Sequence, residues 1–270
     1  MRNVSVIIPT YNRAQLIGNA LKSVLQQKGQ GETFCIQEVL IVDDGSVDDT
    51  EAVVRKFTDE RVHFHKLEKN GGAGHARNAG AELAKGAWIA FQDSDDLWEE
   101  NKLQTQMKYL EEHPECCLVT HPIRAELSGG REIVTQMPKE EEQVSVLLER
   151  NFADTPTMVI RRDTFLTLGG FDENLRALED WDLALRFAMQ DRIGIVDQPL
   201  LWADMRIEGV SSNMANYYDA RCRMIGKNRQ ALQERGLLNT AMEKLLLHAQ
   251  ENGVLEQTGK MLELYLIGLG

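Results

Sequence analysis

Long apolar runs are missing from this sequence of 270 residues. No stretch approaches the ~18 uninterrupted apolar residues that span a bilayer. The apolar run from Val4 to Ile8 stops at Pro9, so it does not read as a secretion leader. Cysteine is scarce: Cys35, Cys116, Cys117 and Cys222 show no C-x-x-C spacing. Reduced thiols packed as small apolar side chains of a cytosolic protein are expected. Cations are in the minority, 30 Lys and Arg against 42 Asp and Glu, for a formal charge of −12. That balance argues against a general nucleic-acid or anionic-membrane binder, while allowing a local cation site or a small basic pocket. Internal repeats and low-complexity tracts are absent too. With 43% hydrophobic and 27% charged residues the composition is that of a globular protein, which excludes disorder and fibrous classes. At ~150 residues per domain, the length suits two domains or one α/β domain with an appendage.

What is present is an alternation of two hydrophobic periods. Val4-Ser5-Val6-Ile7-Ile8 is short and β-branched, as a strand covered on both faces requires. Leu16, Ile17, Ala20, Leu21, Val24 and Leu25 fall on one helical stripe, with Asn12 as the expected N-cap. Val39 to Val42 is a second buried strand, followed by a short helix near 50–57, and Val62 to Leu67 alternates as a third. Gly71-Gly72-Ala73-Gly74 leads into an alanine-rich helix to about Lys85. Ala87 to Phe91 is a fourth strand, then come a helix near 99–112 and a strand at Cys117 to Thr120. Strands separated by helices imply βαβ units and a mainly parallel sheet, hence an α/β fold. Residues 121–143 read as polar and irregular, with Glu140-Glu141-Glu142 a solvated face. Met158 to Ile160 is strand-like, Asp163 opens a short helix ending at Gly169-Gly170, and a helix follows Asp180. From about Asn213 only helices are expected, parted by Gly236 and Gly253.

In open α/β sheets ligands bind beyond the carboxyl ends of the strands. Three clusters directly follow strands here: Pro9-Thr10-Tyr11-Asn12, Asp43-Asp44-Gly45-Ser46 and Asp93-Ser94-Asp95-Asp96. Parallel strands would bring all three to one edge. Carboxylates as crowded as Asp93, Asp95 and Asp96 repel one another unless a cation, hydrogen bonds or water screens them. Hard oxygen ligands in small number suit Mg²⁺ or Mn²⁺. Asp95 reads as a metal ligand, whereas Asp96 reads equally as a cap of the next helix. Asp43 or Asp44 can accept from a nucleobase N–H or end the strand in an Asx turn. Tyr11 stacks on a base or sits half-buried at a helix entry. The glycine loop suggests a phosphate cradle but does not complete G-x-G-x-x-G, because Arg77 stands where the last glycine belongs; a dinucleotide-dependent dehydrogenase is not expected. Arg77 itself either reaches a base or phosphate or lies on the surface. His63 and His65 share a strand face without a third ligand and read as strand residues.

Together these residues resemble the family 2 inverting glycosyltransferases of GT-A fold. The likeness runs over roughly residues 3–210 and is carried by Val4 to Asn12, Glu38 to Ser46, Gly72-Ala73-Gly74-His75-Ala76-Arg77-Asn78, Asp93-Ser94-Asp95-Asp96, and Gly169-Gly170-Phe171-Asp172-Glu173 followed by Glu179-Asp180. The resemblance implies a nucleoside site lined by Pro9, Tyr11 and Asp44, with Asp44 facing the uracil N3–H and Arg77 in the same site. It implies an Asp-x-Asp motif in which Asp95 is the principal metal ligand and Asp93 lies nearer the ribose and donor sugar. Asp180 matches the general base; it also suits an N-cap. Glu179 would bind acceptor or orient the base, and Trp181 would stack on sugar or fill core.

The implied function is metal-dependent (Mn²⁺ or Mg²⁺) inverting transfer of a sugar from a nucleotide diphosphate donor, a UDP-sugar by preference, to an acceptor hydroxyl in cell-surface or capsular polysaccharide assembly. Processive synthases of the family carry Q-x-x-R-W and membrane spans. Gln190-Asp191-Arg192-Ile193 does not match, so single addition is expected. A carbohydrate or lipid-linked saccharide is the expected acceptor and nucleic acid is not a partner. A cytoplasmic chain, peripheral at the inner membrane face at most and compatible with a homodimer, completes the expectation. The expected layout is a GT-A domain over 1–212 (a nucleotide-sugar half over 1–120, an acceptor half over 121–212) and a helical extension over 213–270, its apolar end from Met261 to Leu269 packing on its own domain. Two rivals are a nucleotidyltransferase that makes the sugar nucleotide and a non-catalytic sugar-nucleotide scaffold. The first lacks its glycine-rich, Arg-containing loop after the first strand. The second would be expected to lose Asp95 or Asp180, and both are present.

Overall fold

The computed structural model describes residues 2–127, 130–190, 193–204 and 213–268. In chain order the elements are β1 (Arg2–Thr10), α1 (Ile17–Leu25), β2 (Phe34–Asp43), α2 (Thr50–Val54), β3 (Val62–Lys66), α3 (Ala73–Leu83), β4 (Trp88–Phe91), β5 (Leu97–Trp98), α4 (Lys102–Glu112), β6 (Leu118–Thr120), β7 (Ile123–Glu126) and β8 (Glu132–Val134). There follow α5 (Gln143–Leu147), β9 (Val159–Arg161), α6 (Arg162–Thr167), α7 (Glu179–Gln190), β10 (Ile193–Ile195), β11 (Leu201–Asp204), α8 (Met214–Lys227), α9 (Arg229–Glu234), α10 (Leu238–Glu251) and α11 (Leu255–Leu266).

Seven strands form the main sheet in the order β10-β6-β9-β4-β1-β2-β3, and four form a second sheet in the order β5-β11-β7-β8. The main sheet is parallel except for β9, which runs antiparallel between β4 and β6. The alternation along a strand explains the near-continuous apolar runs. On β1, Val4, Val6 and Ile8 enter the core under α1 and α4, while Ile7 enters the core under α3 and α7. Because β1, β2 and β4 are mutually parallel, the loops after Thr10, Asp43 and Phe91 emerge together, as the sequence pattern requires.

The structure corrects several local expectations. Asn12 does not cap α1, which opens after Leu16; it takes a left-handed conformation (φ 51°) instead. Asp96 does not cap a helix either, since β5 intervenes and α4 begins after Asn101. Residues 121–143 are not all irregular: β7 and β8 lie there, too short for periodicity to reveal, as do β10 and β11 farther on. The run Glu140–Glu142 is an exposed 3₁₀ turn, as a solvated face should be. Asp191 and Arg192, which bear on the processive motif, lie outside the described residues, as does Leu269.

Helices α8 to α11 share a core with the sheet's α3–α7 side through Tyr218, Ile225, Leu232, Leu245 and Leu262. A charged latch reinforces that junction. Asp182 on α7 is fully buried and accepts from Arg186 Nε at 2.9 Å and from Lys227 Nζ on α8 at 2.9 Å. Lys227 also donates to Asp172 at 2.9 Å, and Arg223 reaches the same carboxylate at 3.3 Å. The Asp172 carboxyl is held well below the usual range: burial opposes its charge, but the Lys227 ammonium more than offsets that cost. Asp182→Ala should therefore lower unfolding free energy by about 3 kcal/mol, because a buried ion pair loses one partner and leaves cations uncompensated. Urea unfolding followed by circular dichroism measures it, with Lys260→Ala, an exposed position on α11, as a near-neutral control.

Candidate active site

The loops after β1 and β2 are latched to each other. Asn12 Oδ1 accepts the Val47 N–H at 2.9 Å, and the Asn12 N–H donates to Ser46 Oγ at 2.8 Å. The left-handed backbone at Asn12, tolerated by a short amide side chain, makes both bonds reachable. Pro9 is buried at the end of β1, while Tyr11 projects its ring with 47% exposure. The Asp44 N–H donates to the Thr10 carbonyl at 2.8 Å, and the Asp44 carboxylate accepts the N–H groups of Gly71 at 2.9 Å and Gly72 at 2.7 Å. The first two amides of the glycine loop thus serve Asp44 rather than standing free for a phosphate. Gly72 has φ 89° and ψ 172°, a region reserved in practice for glycine, and it turns the chain into α3.

Helix α3 lies so close to β1 that a Cβ on Gly80 would stand 2.6 Å from Ile7 Cγ2. That approach carries Arg77 beneath the strand ends, where it is 5% exposed. Its Nη2 donates to Asp93 Oδ1 at 2.7 Å, its Nη1 donates to Glu179 Oε1 at 2.8 Å, and the guanidinium stands 5.5 Å from the centre of the Phe171 ring. Burial works against the charge of Arg77, yet Asp93 and Glu179 outweigh it and hold the proton more tightly than usual. Arg77 is therefore the inner wall of the cleft, not a surface residue. Glu179 pairs with Arg77 at the start of α7, and the turn into that helix passes through Leu178 at φ 63°, strained for a branched side chain.

Around this cation the structure gathers carboxylates from three loops. Burial, then the neighbouring Asp93, raises the Asp95 carboxyl above the usual range, opposed by Arg13, whose Nη2 stands 3.8 Å from Asp95 Oδ2. Asp96 is pushed up to about 8 by burial and by Asp93, Asp95 and Asp154. Asp154 is raised to about 6 by burial and Asp93. Asp180 is raised well above the usual range by burial, then by Glu179 and Asp154, although it accepts the Trp181 N–H at 2.7 Å. Asp154 carried no signal in the sequence, because Asn-Phe-Ala-Asp-Thr-Pro reads as ordinary turn punctuation. Its turn is pinned from behind: Trp98 Nε1 donates to the Pro156 carbonyl at 3.2 Å, Gln106 Nε2 donates to the Thr157 carbonyl at 2.8 Å, and Thr157 Oγ1 donates to the Asp154 carbonyl at 2.6 Å. Trp181 is core rather than a sugar platform; its Nε1 donates to the Leu147 carbonyl at 2.7 Å and Arg221 covers its ring at 4.1 Å.

Of the residues singled out, Arg77, Asp93, Asp95, Glu179 and Asp180 form one charged cluster, while Asp44 is tied to the glycine loop that leads into α3 and Pro9 and Tyr11 stand at the end of β1. Among the described residues no three carboxylate, imidazole or thiol side chains form a ready-made metal cage. Crowded, proton-retaining aspartates fit an ion that takes one or two carboxylates and completes its shell from a ligand and water, which is the habit of Mg²⁺ and Mn²⁺.

Residues 5–169 match the family described as Glycosyl transferase family 2, and the chain belongs to that family. It is 34% identical over 191 residues to an uncharacterised glycosyltransferase of Haemophilus influenzae, covering 69% of this chain and 62% of that protein. It is 40% identical over 107 residues to the UDP-Glc:alpha-D-GlcNAc-diphosphoundecaprenol beta-1,3-glucosyltransferase WfgD of Escherichia coli, covering 40% of each. The matches thus span less than two thirds of either relative's length. The crystal structure of Staphylococcus aureus TarS 1-349 in complex with UDP-GlcNAc superposes with a TM-score of 0.69 over 99% of this chain and 92% of that one, at 21% identity. The fold is GT-A.

The Arg77 bridge generates a stability test. Arg77→Met should cost about 3 kcal/mol in urea unfolding, since it strands two partly buried carboxylates. Arg77→Lys should recover less than half, because an ammonium cannot span Asp93 and Glu179 as a guanidinium fork does.

Proposed function

We propose that this chain transfers a single sugar, with inversion, from a UDP-sugar to an acceptor hydroxyl in the assembly of a cell-surface polysaccharide. The observation that carries the proposal is the Arg77 bridge. It joins the Asp93-Ser94-Asp95-Asp96 loop to the Glu179-Asp180 corner, so the residue types for holding a diphosphate and for deprotonating an acceptor share one cleft. Asp44 takes the N3–H of uracil on the lone pairs that Gly71 and Gly72 leave unused, and Tyr11 offers its exposed ring to the base. Asp95, with Asp93, would hold Mn²⁺ or Mg²⁺, which would supply charge neutralisation at the departing diphosphate. Arg77 keeps Asp93 turned toward the donor.

Asp180 takes the proton of the acceptor hydroxyl as that oxygen bonds to the sugar C1 from the face opposite the nucleotide, and the C1–diphosphate bond breaks with its electron pair leaving on UDP. A buried carboxyl beside Glu179 and Asp154 is a stronger base than an exposed one, which suits this step. WfgD acts, as its name states, on a diphosphoundecaprenol-linked acceptor, and this supports a lipid-linked saccharide as acceptor at the cytoplasmic face of the membrane. Among the described residues no helix is long and apolar enough to cross a membrane. A catalytic domain over 1–212 with a helical extension over 213–270 belongs to the same reading.

Titration calorimetry with UDP, with Mn²⁺ or with EDTA, tests the donor site. Tight binding lost in EDTA and lost in Asp95→Ala is expected, and binding of GDP or dTDP alone would overturn the uracil assignment. Asp180→Asn should keep UDP affinity within a few-fold while transfer falls ~10²-fold or more. Normal transfer by that variant sinks the base assignment. The pH profile supplies another check. Asp180 must be ionised to act, so transfer declines as pH falls through its raised pKa. Asp154→Asn removes one of the charges that raise it, and the acid limb should shift to lower pH. An unmoved limb would show that Asp154 does not act on the base.

A further inference from the structure

The edge of the main sheet opposite the carboxylates has its own cleft. It holds about 490 Å³ beside the start of β1, the start of β4 and the end of β9, and its charged lining is Arg2, Lys85, Arg161 and Arg162 against a single carboxylate, Asp163. The nine residues of β1 separate it from the loop after Thr10, roughly 30 Å at strand rise. Four cations meeting in a chain of net charge −12 is an exception to the overall balance. Among the described residues none of the four pairs with a carboxylate.

The three guanidiniums are fixed by backbone carbonyls instead. Arg2 Nη2 donates to the Leu110 carbonyl at 3.0 Å and Arg161 Nη2 to the Pro114 carbonyl at 3.2 Å. Arg162 donates through Nε to the Ala81 carbonyl at 3.0 Å and through Nη2 to the Glu82 carbonyl at 3.1 Å. Arg161 also lies over the Trp88 ring at 5.2 Å, and its Nε is buried without a partner. Trp88 is its cross-strand neighbour on β4. Carbonyls hold these groups in place without neutralising them, so each fork keeps its charge and N–H donors to spare, and little side-chain entropy remains to be lost on binding. With its ring covered by Arg161 and 6% exposed, Trp88 leaves no face for a nucleobase.

We infer that this cleft is a second, anion-binding site for a phosphate-class ligand carrying at least two negative charges, such as a diphosphate or the phosphomonoester of a lipid headgroup. Planar guanidinium forks match phosphate oxygens two at a time, and four cations over one carboxylate require more than one negative charge to balance. The site stands apart from the donor cleft and does not depend on the glycosyl-transfer reading.

The test is titration calorimetry with inorganic pyrophosphate in EDTA, alongside sedimentation with phosphatidic acid vesicles, on the native chain and on Arg161→Gln/Arg162→Gln. Pyrophosphate binding weakened about ten-fold or more in the double variant, as loss of charge-assisted hydrogen bonds implies, supports a soluble ligand. The same loss seen only with vesicles assigns the phosphate to a headgroup. UDP binding with Mn²⁺ should stay within two-fold of native in this variant, which separates the site from the donor cleft. Should the double variant fail to fold, the exposed change Lys85→Gln and the single Arg2→Gln provide the same comparison with smaller losses. Native affinity for both probes in every variant, or no affinity for either in the native chain, overturns the site.

Discussion

A single buried guanidinium organises the carboxylate cleft. Arg77 sits under the strand ends with Asp93 on one side and Glu179 on the other, and these partners come from segments far apart in sequence. Without it, the loop after β4 and the corner before α7 would repel each other across the cleft. An ion pair of this burial spends much of its attraction on desolvation, so its value is geometric more than energetic. It fixes where two loops stand. The condition for it is the close seating of α3 on β1, which Gly80 permits by having no Cβ to strike Ile7.

The carboxylates that Arg77 does not neutralise define what the cleft lacks. Asp95, Asp96, Asp154 and Asp180 all hold protons more tightly than free carboxylates, each chiefly because burial strips water from it. Such a cluster is a standing demand for positive charge near Asp95, and it leaves Asp180 a stronger base than an exposed carboxylate. Two supports keep it in register. Leu178, strained at φ 63°, swings Glu179 and Asp180 into the first turn of α7, while Trp98 and Gln106 hold the turn that carries Asp154. Strain placed at the entrance to a functional helix is tolerated because α7 is locked from its other side by the Asp182–Lys227 latch.

How much of this was legible in the sequence follows from what each signal measures. Buried parallel strands announce themselves by β-branched runs, so β1, β2 and β4 were readable, and with them the shared edge where Asp44 and Asp93–Asp96 stand. Asp180 was singled out through motif likeness, and Arg77 both by its place after the glycine loop and by that likeness; the structure adds that Arg77 binds Glu179 and Asp93. Short strands such as β7, β10 and β11 were not readable, because charged residues or glycine break the continuous apolar run that betrayed the equally short β4, β6 and β9. Asn12 failed as a cap for a different reason: its amide is spent across the chain on Val47, a tertiary bond that no local rule contains. Asp154 was invisible on the same ground, since a lone aspartate in a turn acquires meaning only from the loops that face it.

The basic cleft shows how composition averages away structure. A net charge of −12 describes the whole surface, yet the two edges of one sheet differ in sign: carboxylates crowd the carboxyl ends of β2 and β4, and Arg2, Lys85, Arg161 and Arg162 ring the other edge. The topology makes that separation possible. β9 runs antiparallel to β4, so the chain leaves it at the amino end of its neighbour, and Arg161 and Arg162 are delivered beside Trp88 and Ala87 instead of among the aspartates. Had β9 been parallel, both arginines would stand at the carboxylate edge, in reach of Asp93 and Asp95, and would compete with any cation there. The one reversed strand in the main sheet thus keeps the acidic cleft open to a cation and leaves a set of unneutralised guanidiniums at the far edge.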